Sequence, residues 1–317
     1  MNHLAEAEHC LSQRDLPGAL QHFDLARQYA CSADRIDAGL WQVHMLAGEF
    51  EPAWQASDRI RAGHTPDPHR FWSGESLAGK DVIVRSLHGL GDAVQMFRYA
   101  PQLKALARSV TWQVPPNLLG LAPCFDGVDQ VITWEQPCVW EAQVEITELP
   151  YLFRTTLAHL PIATRYLSAP VPPVQRSKPR VGLVWAAGEW NKGRSIPLAA
   201  FDSLLSTAGF DFVNLQGGTN HETDRRMEVA EPGLPALAAA IAGLDLVITV
   251  DTLAAHLAGA LQISAWVLLE HAADWRWMTD REDSPWYPSL RLFRQTRPGD
   301  WSQPLASIHQ TLGTLRR

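Results

Sequence analysis

The chain has 317 residues, enough for two α/β units with separate cores and a smaller appendage. Its net charge is −7 and no basic run exceeds Arg316-Arg317, which excludes the electrostatic footprint of a nucleic-acid binder. The opening MNHLAEAEHC lacks the basic start and apolar core of an export signal, the apolar stretch 234–269 is broken by Asp245, Asp251 and His256 before it can span a membrane, and Cys10, Cys31, Cys124 and Cys138 lack the close pairs of a zinc or redox motif. Reduced thiols and a cytoplasmic location, which includes the inner face of the bacterial membrane, are expected.

Residues 1–64 contain no strand-like run, and Leu16, Leu20, Phe23 and Ala26, then Leu40, Val43 and Ala47, recur at helical spacing. A slide of 34 residues lays 15–27 over 49–61, with identities at Ala19 and Ala53, Gln21 and Gln55, Asp24 and Asp58, Arg27 and Arg61. That offset is the tetratricopeptide period and predicts paired helices; two units are fewer than a free-standing solenoid needs, so the segment is expected to pack on the adjoining α/β unit. Thr65-Pro66-Asp67-Pro68 ends the helical part, since each proline removes a donor and extends its predecessor. Over 77–170 strands are expected at Asp81–Arg85, Val110–Val114, Gln130–Thr133 and Gln143–Ile146, with a helix from about Ala93 to Leu106. The proline-rich stretch 168–179 reads as a stiff linker. Over 178–300 strands are expected at Arg180–Trp185, Phe210–Leu215, Leu246–Val250, Ala265–Leu269 and Leu290–Arg294, with helices near 198–205, 234–242 and 253–261; a last helix occupies 301–317. Strands alternating with helices imply parallel sheets covered on both faces. The expected fold class is therefore α/β, two Rossmann-like units facing a cleft behind a short all-α segment, with ligands outside the carboxyl ends of the strands.

Three loops at those ends hold polar residues. In Leu87-His88-Gly89-Leu90-Gly91-Asp92 two glycines permit tight turns, and Asp92 stands near a helix start, where it is either a cap or a working carboxylate. Between Trp185 and Pro197, Lys192, Arg194 and Ser195 offer the charge and forked donors that suit a diphosphate, or form a solvated basic turn. In Leu246-Val247-Ile248-Thr249-Val250-Asp251-Thr252-Leu253 an aliphatic strand runs into a small-residue helix whose first amides can face an anion. Asp251 reads equally as a cap, and His256, one turn on, as a core histidine. Trp275, Trp277 and Trp286 read as packing residues with a capacity to stack on a sugar or base.

With these loops in order the chain resembles the heptosyltransferase-type family, glycosyltransferase family 9, in the branch fused behind tetratricopeptide repeats. The resemblance is carried by GLGDAVQMFRYAP (Gly89–Pro101), VGLVWA and GRSIP (Val181–Pro197), DLVITVDTLAAHLAGAL (Asp245–Leu261) and DWRWMTDREDSPWYPSLRLFRQ (Asp274–Gln295). It implies a GT-B architecture, with 77–170 as the acceptor unit, 178–300 as the nucleotide-sugar unit and the last helix crossing back to the first. It further implies Asp92 as catalytic base with His88 and Gly91 on the acceptor side. Lys192, Arg194, Ser195, Asp251, Thr252 and Leu253 fall on the donor diphosphate, Glu222 and Gln216 on the ribose and base, and His256 is a further candidate. Such an enzyme inverts the anomeric centre, takes a nucleotide sugar as donor, by default a heptose, and transfers it to a glycan or protein hydroxyl, with the N-terminal helices available to dock the acceptor. The chain contains no Asp-x-Asp, the motif that holds a divalent ion in metal-dependent sugar transferases, so neither metal nor cofactor is expected. Leu253 replaces the glycine usual in the family, the Asp92 to Pro101 spacing is longer, and His88 stands where the branch often has glutamine. These departures bear on substrate identity, and Leu253 favours the alternative of an inactive scaffold that binds partners or nucleotide sugar.

Overall fold

Four helices open the computed structural model: α1 (His3–Ser12), α2 (Leu16–Gln28), α3 (Ala33–Ala47) and α4 (Phe50–Ala62), packed as the hairpins α1/α2 and α3/α4. The structure describes residues 2–29, 32–63, 72–125, 127–161, 165–171, 177–188, 191–217 and 224–315, so the first proline-rich joint and the middle of the second lie outside it. Asp15 caps α2 by accepting the Gly18 N–H at 3.0 Å, and Gly48, at φ 77°, ends α3 in the left-handed conformation that glycine adopts at least cost. The 34-residue slide carries Leu16–Gln28 onto Phe50–Ala62 end to end. These helices are docked on the rest of the molecule. Trp54 Nε1 donates to Thr155 O at 2.6 Å, Thr279 N donates to Leu46 O at 2.9 Å, and Phe50 stacks on Trp286.

The first α/β unit runs β1 (Asp81–Arg85), α5 (Leu90–Met96), α6 (Ala100–Leu106), β2 (Ser109–Val114), β3 (Gln130–Thr133), β4 (Ala142–Glu145) and α7 (Leu149–Leu152). All its strands are parallel, in the order β3-β2-β1-β4. The single helix expected over 93–106 is instead two helices joined by a 3-10 turn at 97–99, and it begins at Leu90. Pro101 is the cause: it has no N–H to give the carbonyl of Phe97 and its ring crowds that carbonyl.

The second unit runs β5 (Arg180–Val184), α8 (Asp202–Leu205), β6 (Asp211–Asn214), β7 (Met227–Val229), α9 (Leu234–Ala242), β8 (Leu246–Val250), α10 (Leu253–Leu261), β9 (Ala265–Leu269), β10 (Leu290–Arg294) and α11 (Ser302–Thr314). Its strands are also parallel, in the order β10-β9-β8-β5-β6-β7, the doubly wound arrangement. β7 escapes sequence reading because it is a three-residue edge strand with only Met227 buried. The last helix does not cross back to the first unit. Its apolar stripe, Pro304, Ile308 and Leu312, is buried, and the last two join Phe201, Phe212 and Phe293 in the core of the second sheet.

In each sheet the chain reverses direction of growth at its first strand: β1 lies between β2 and β4, and β5 between β6 and β8. A crevice forms at such points because the loops leaving neighbouring strands go to opposite faces. Here two of these crevices share one core, which includes Trp54 of α4, Val84 of β1, Val247 of β8 and Leu257 of α10. No helix among the described residues is long and apolar enough to cross a membrane.

Candidate active site

The chain leaves β1 and turns at Gly89 into α5. Asp92, third in that helix, accepts the Gly89 N–H through Oδ2 at 2.9 Å, so it does cap the helix. Its Oδ1 lies 2.6 Å from Arg276 Nη2. Each carboxylate oxygen retains a further lone pair, so capping and pairing leave Asp92 able to accept another hydrogen bond. Half-exposed His88 places Nε2 3.5 Å from Glu145 Oε2, at the end of β4. Gly91 meets His256: a Cβ added to Gly91 would stand 2.6 Å from His256 Cδ2. Only glycine lets α5 and α10 approach this closely, and their contact joins the two units.

On the facing wall, Gln216 accepts the N–H groups of Trp185 and Ala186 at 3.1 and 2.8 Å and donates back to Ala186 O, while Ser195 Oγ accepts the Ala187 N–H. These bonds hold residues 185–187 and Ser195 together, and beside them Arg194 Nη1 donates to Asp251 O at 2.9 Å and lies 3.6 Å from Asp251 Oδ2. Where β8 passes into α10, Thr252 is the extended N-cap, its hydroxyl accepting the Ala254 N–H at 3.3 Å and lying 3.0 Å from Thr249 Oγ1. Asp251 is buried, and burial followed by repulsion from Asp274 pushes its carboxyl up to about 6, against the pull of Arg194. His256 is buried with Nδ1 2.9 Å from the Tyr287 hydroxyl; burial pushes it down to about 4, with Asp92 opposing, so the imidazole is neutral at neutral pH.

These two walls bound one cavity of about 740 Å³, a size common for small-molecule sites. Asp92, His88 and Gly91 line one side, with Arg194, Gln216, Asp251, Thr252, Leu253 and His256 on the other. The structure does not bring every candidate to this surface. Lys192 is exposed and does not line the cavity, and the Ser195 hydroxyl is turned into the loop it closes. Glu222 lies outside the described residues.

Sequence reasoning does not reach Arg276. It sits in an aromatic run, Asp274-Trp275-Arg276-Trp277, where a cation between tryptophans reads as a solvated charge. In the fold its side chain is only 11% exposed and lines the cleft. Nε donates to Gln95 Oε1 at 2.8 Å, Nη1 to Asp274 Oδ1 at 2.8 Å, and the guanidinium lies 4.6 Å from the centre of the Trp275 ring. Burial works against its charge, but Asp274 and Asp92 more than compensate and hold its pKa above the ordinary arginine value. A second cavity of about 670 Å³ lies between α3, α4 and the end of β4, and it shares His88, Thr147, Trp275 and Arg276 with the first. Glu145 at their junction has one buried carboxylate oxygen, Oε1, without a hydrogen-bond partner among the described residues.

Among solved structures the chain is similar to ADP-heptose lps heptosyltransferase II of E. coli, with a TM-score of 0.55 at 12% identity over 74% of this chain and 98% of that one. It is similar to E. coli heptosyltransferase WaaC with ADP-2-deoxy-2-fluoro heptose, with a TM-score of 0.52 at 13% identity over 74% and 99%. A glycosyl transferase of family 9 from Veillonella parvula gives a TM-score of 0.50 at 13% identity over 76% and 90%. At these identities the likeness is one of fold, and the chain has the two-Rossmann GT-B fold of these heptosyltransferases. No family model matches the chain. Protein FlbA of Caulobacter vibrioides is 26% identical over 357 aligned positions, which take in 98% of this chain and 58% of that protein. The chain thus spans a little over half the length of this curated relative.

Proposed function

We propose that this chain is an inverting, metal-independent glycosyltransferase that moves a sugar from a nucleoside-diphosphate sugar to a hydroxyl of a glycan or protein. The observation that carries the reading is that one cleft has a carboxylate, Asp92, on one wall and a cation with a helix N-terminus, Arg194 and Thr252–Leu253, on the other. Inversion requires that geometry: Asp92 takes the proton of the acceptor oxygen as it attacks one face of the anomeric carbon, while the diphosphate departs from the opposite face. Negative charge grows on the leaving oxygen, and fixed donors aimed at it lower the barrier without reorganising. Arg194 and the first amides of α10 are those donors in the proposal. Gln216 and the Ser195 hydroxyl act one step back, by holding the loop that presents Arg194. His256, neutral and buried, keeps α10 against Gly91 and so sets the width of the cleft.

The similar solved structures that carry ADP or ADP-heptose in their names put an adenosine diphosphate sugar first among donors to try here. The test is a panel of ADP-, UDP-, GDP- and CMP-linked sugars, scored by melting temperature and by release of nucleotide. At least one donor should raise the melting temperature, because it binds only the folded chain. Its turnover should fall about 100- to 10,000-fold in Asp92→Asn, the usual contribution of a general base. One observation favours an inactive scaffold instead: the Leu253 side chain lines the cleft at the helix end that would receive phosphate. Donor binding without turnover, in the presence of glycan and protein acceptors alike, would establish that reading.

A further inference from the structure

We propose that Arg276 is the positioning residue for Asp92 and that the N-terminal helices fix it there, so the helical segment forms part of the catalytic apparatus; this rests on the transferase reading. The guanidinium lies between the two units: Asp92 and Gln95 belong to α5, and Asp274 and Arg276 to the segment after β9. It takes Asp92 Oδ1 at 2.6 Å, Gln95 Oε1 at 2.8 Å and Asp274 Oδ1 at 2.8 Å, three acceptors around one planar fork. With Gly89 N–H on its other oxygen, the Asp92 carboxylate is held at both ends, and its plane is set by partners from both units.

The segment carrying Arg276 is itself gripped from the N-terminal side. Arg14, in the turn between α1 and α2, donates to Ala273 O at 2.7 Å. Trp41 of α3 packs edge-on against Trp275 with ring centres 5.6 Å apart, and Thr279 N donates to Leu46 O at 2.9 Å. Between these anchors Met278 adopts φ 52° and ψ −170°, a conformation in which a side chain is strained and which glycine alone visits readily. Arg294 Nη2 holds it there by bonding both Trp277 O and Met278 O, at 3.0 and 2.7 Å. A strained residue that is pinned from both sides, two positions from a buried cation, implies that the placement of that cation matters more than local comfort.

The test is a double-mutant cycle of Asp92→Asn and Arg276→Gln, read in two ways. In donor turnover, Arg276→Gln should lower kcat at least 30-fold while leaving the donor dissociation constant within about threefold. The double variant should be no slower than Asp92→Asn alone, and millimolar guanidinium should restore part of the activity of Arg276→Gln. Arg14→Met and Trp41→Ala, both remote from the donor wall, should lower kcat in the same direction. In denaturant unfolding the pair should couple at least fivefold in equilibrium constant whether or not any donor turns over. Additive losses in kcat, a donor constant that rises as far as kcat falls, or no coupling in unfolding would overturn the proposal. Coupling in unfolding with no turnover of any donor would instead remove the transferase reading and leave Arg276 as a holder of Asp92.

Discussion

Ionised Asp251 destabilises the unliganded fold, which marks it as a residue kept for something other than stability. Its carboxyl sits at about 6 in the fold against an ordinary 3.8. A folded value above the unfolded one means that the folded chain holds the proton more tightly, so the penalty is full above pH 6, shrinks as pH falls, and vanishes below 3.8. At 1.36 kcal/mol per pH unit the full penalty is about 3 kcal/mol, and at pH 5 about half of it remains. Asp251→Asn should therefore be more stable than the parent by about 1–3 kcal/mol at pH 7.5 and by less at pH 5 in urea unfolding. A variant less stable at pH 7.5 would show that the carboxylate is better solvated by Arg194 than its burial suggests. A diphosphate brought to this wall raises the penalty further, so donor binding should draw in a proton and weaken from pH 6 to pH 8. Arg194, already bonded to the Asp251 carbonyl, is placed to absorb part of that cost.

At the scale of elements, periodicity revealed what burial enforces. β1, β5, β8 and β9 are aliphatic runs because buried parallel strands are covered on both faces, and that composition is visible without a structure. The loops that succeed them were legible for the same reason, since a glycine or small residue after such a run has few other uses. Asp92, Arg194, Asp251 and Thr252 accordingly meet in one cleft. Arg276 was not legible because its partners come from α5 and from its own turn, so no local pattern announces them. The end of the chain misled in the opposite way: an amphipathic helix states that it has an apolar face but not which sheet covers it, and α11 covers its own. The grip of α4 on the first unit leads to a prediction at this scale. Trp54 is buried in the shared core and donates to Thr155 O, so Trp54→Ala should cost about 3–5 kcal/mol, and Trp54→Phe less. Equal, small losses in both variants, measured by urea unfolding, would mean that the helices are only loosely applied.

Taken whole, the molecule joins two reversing sheets through the helices between them and docks the N-terminal helices on both units. The units share one core through α5 and α10, and Arg98, buried, reaches from the first unit to donate to Trp286 O in the second at 2.9 Å. This rigidity keeps Asp92 at a set distance from the donor wall, which an in-line displacement needs. The helices line the second cavity, which meets the cleft at His88, Thr147, Trp275 and Arg276, so in the proposed reaction an acceptor held there would reach Asp92 past surfaces of both units. The most direct measurement is a crystal structure with the nucleoside diphosphate that most raises the melting temperature. The account predicts phosphate oxygens within about 3 Å of Arg194 and the Thr252–Leu253 amides, with open space for a sugar between the outer phosphate and Asp92. Phosphates bound outside this cleft, or within it but against Asp92, would contradict the account.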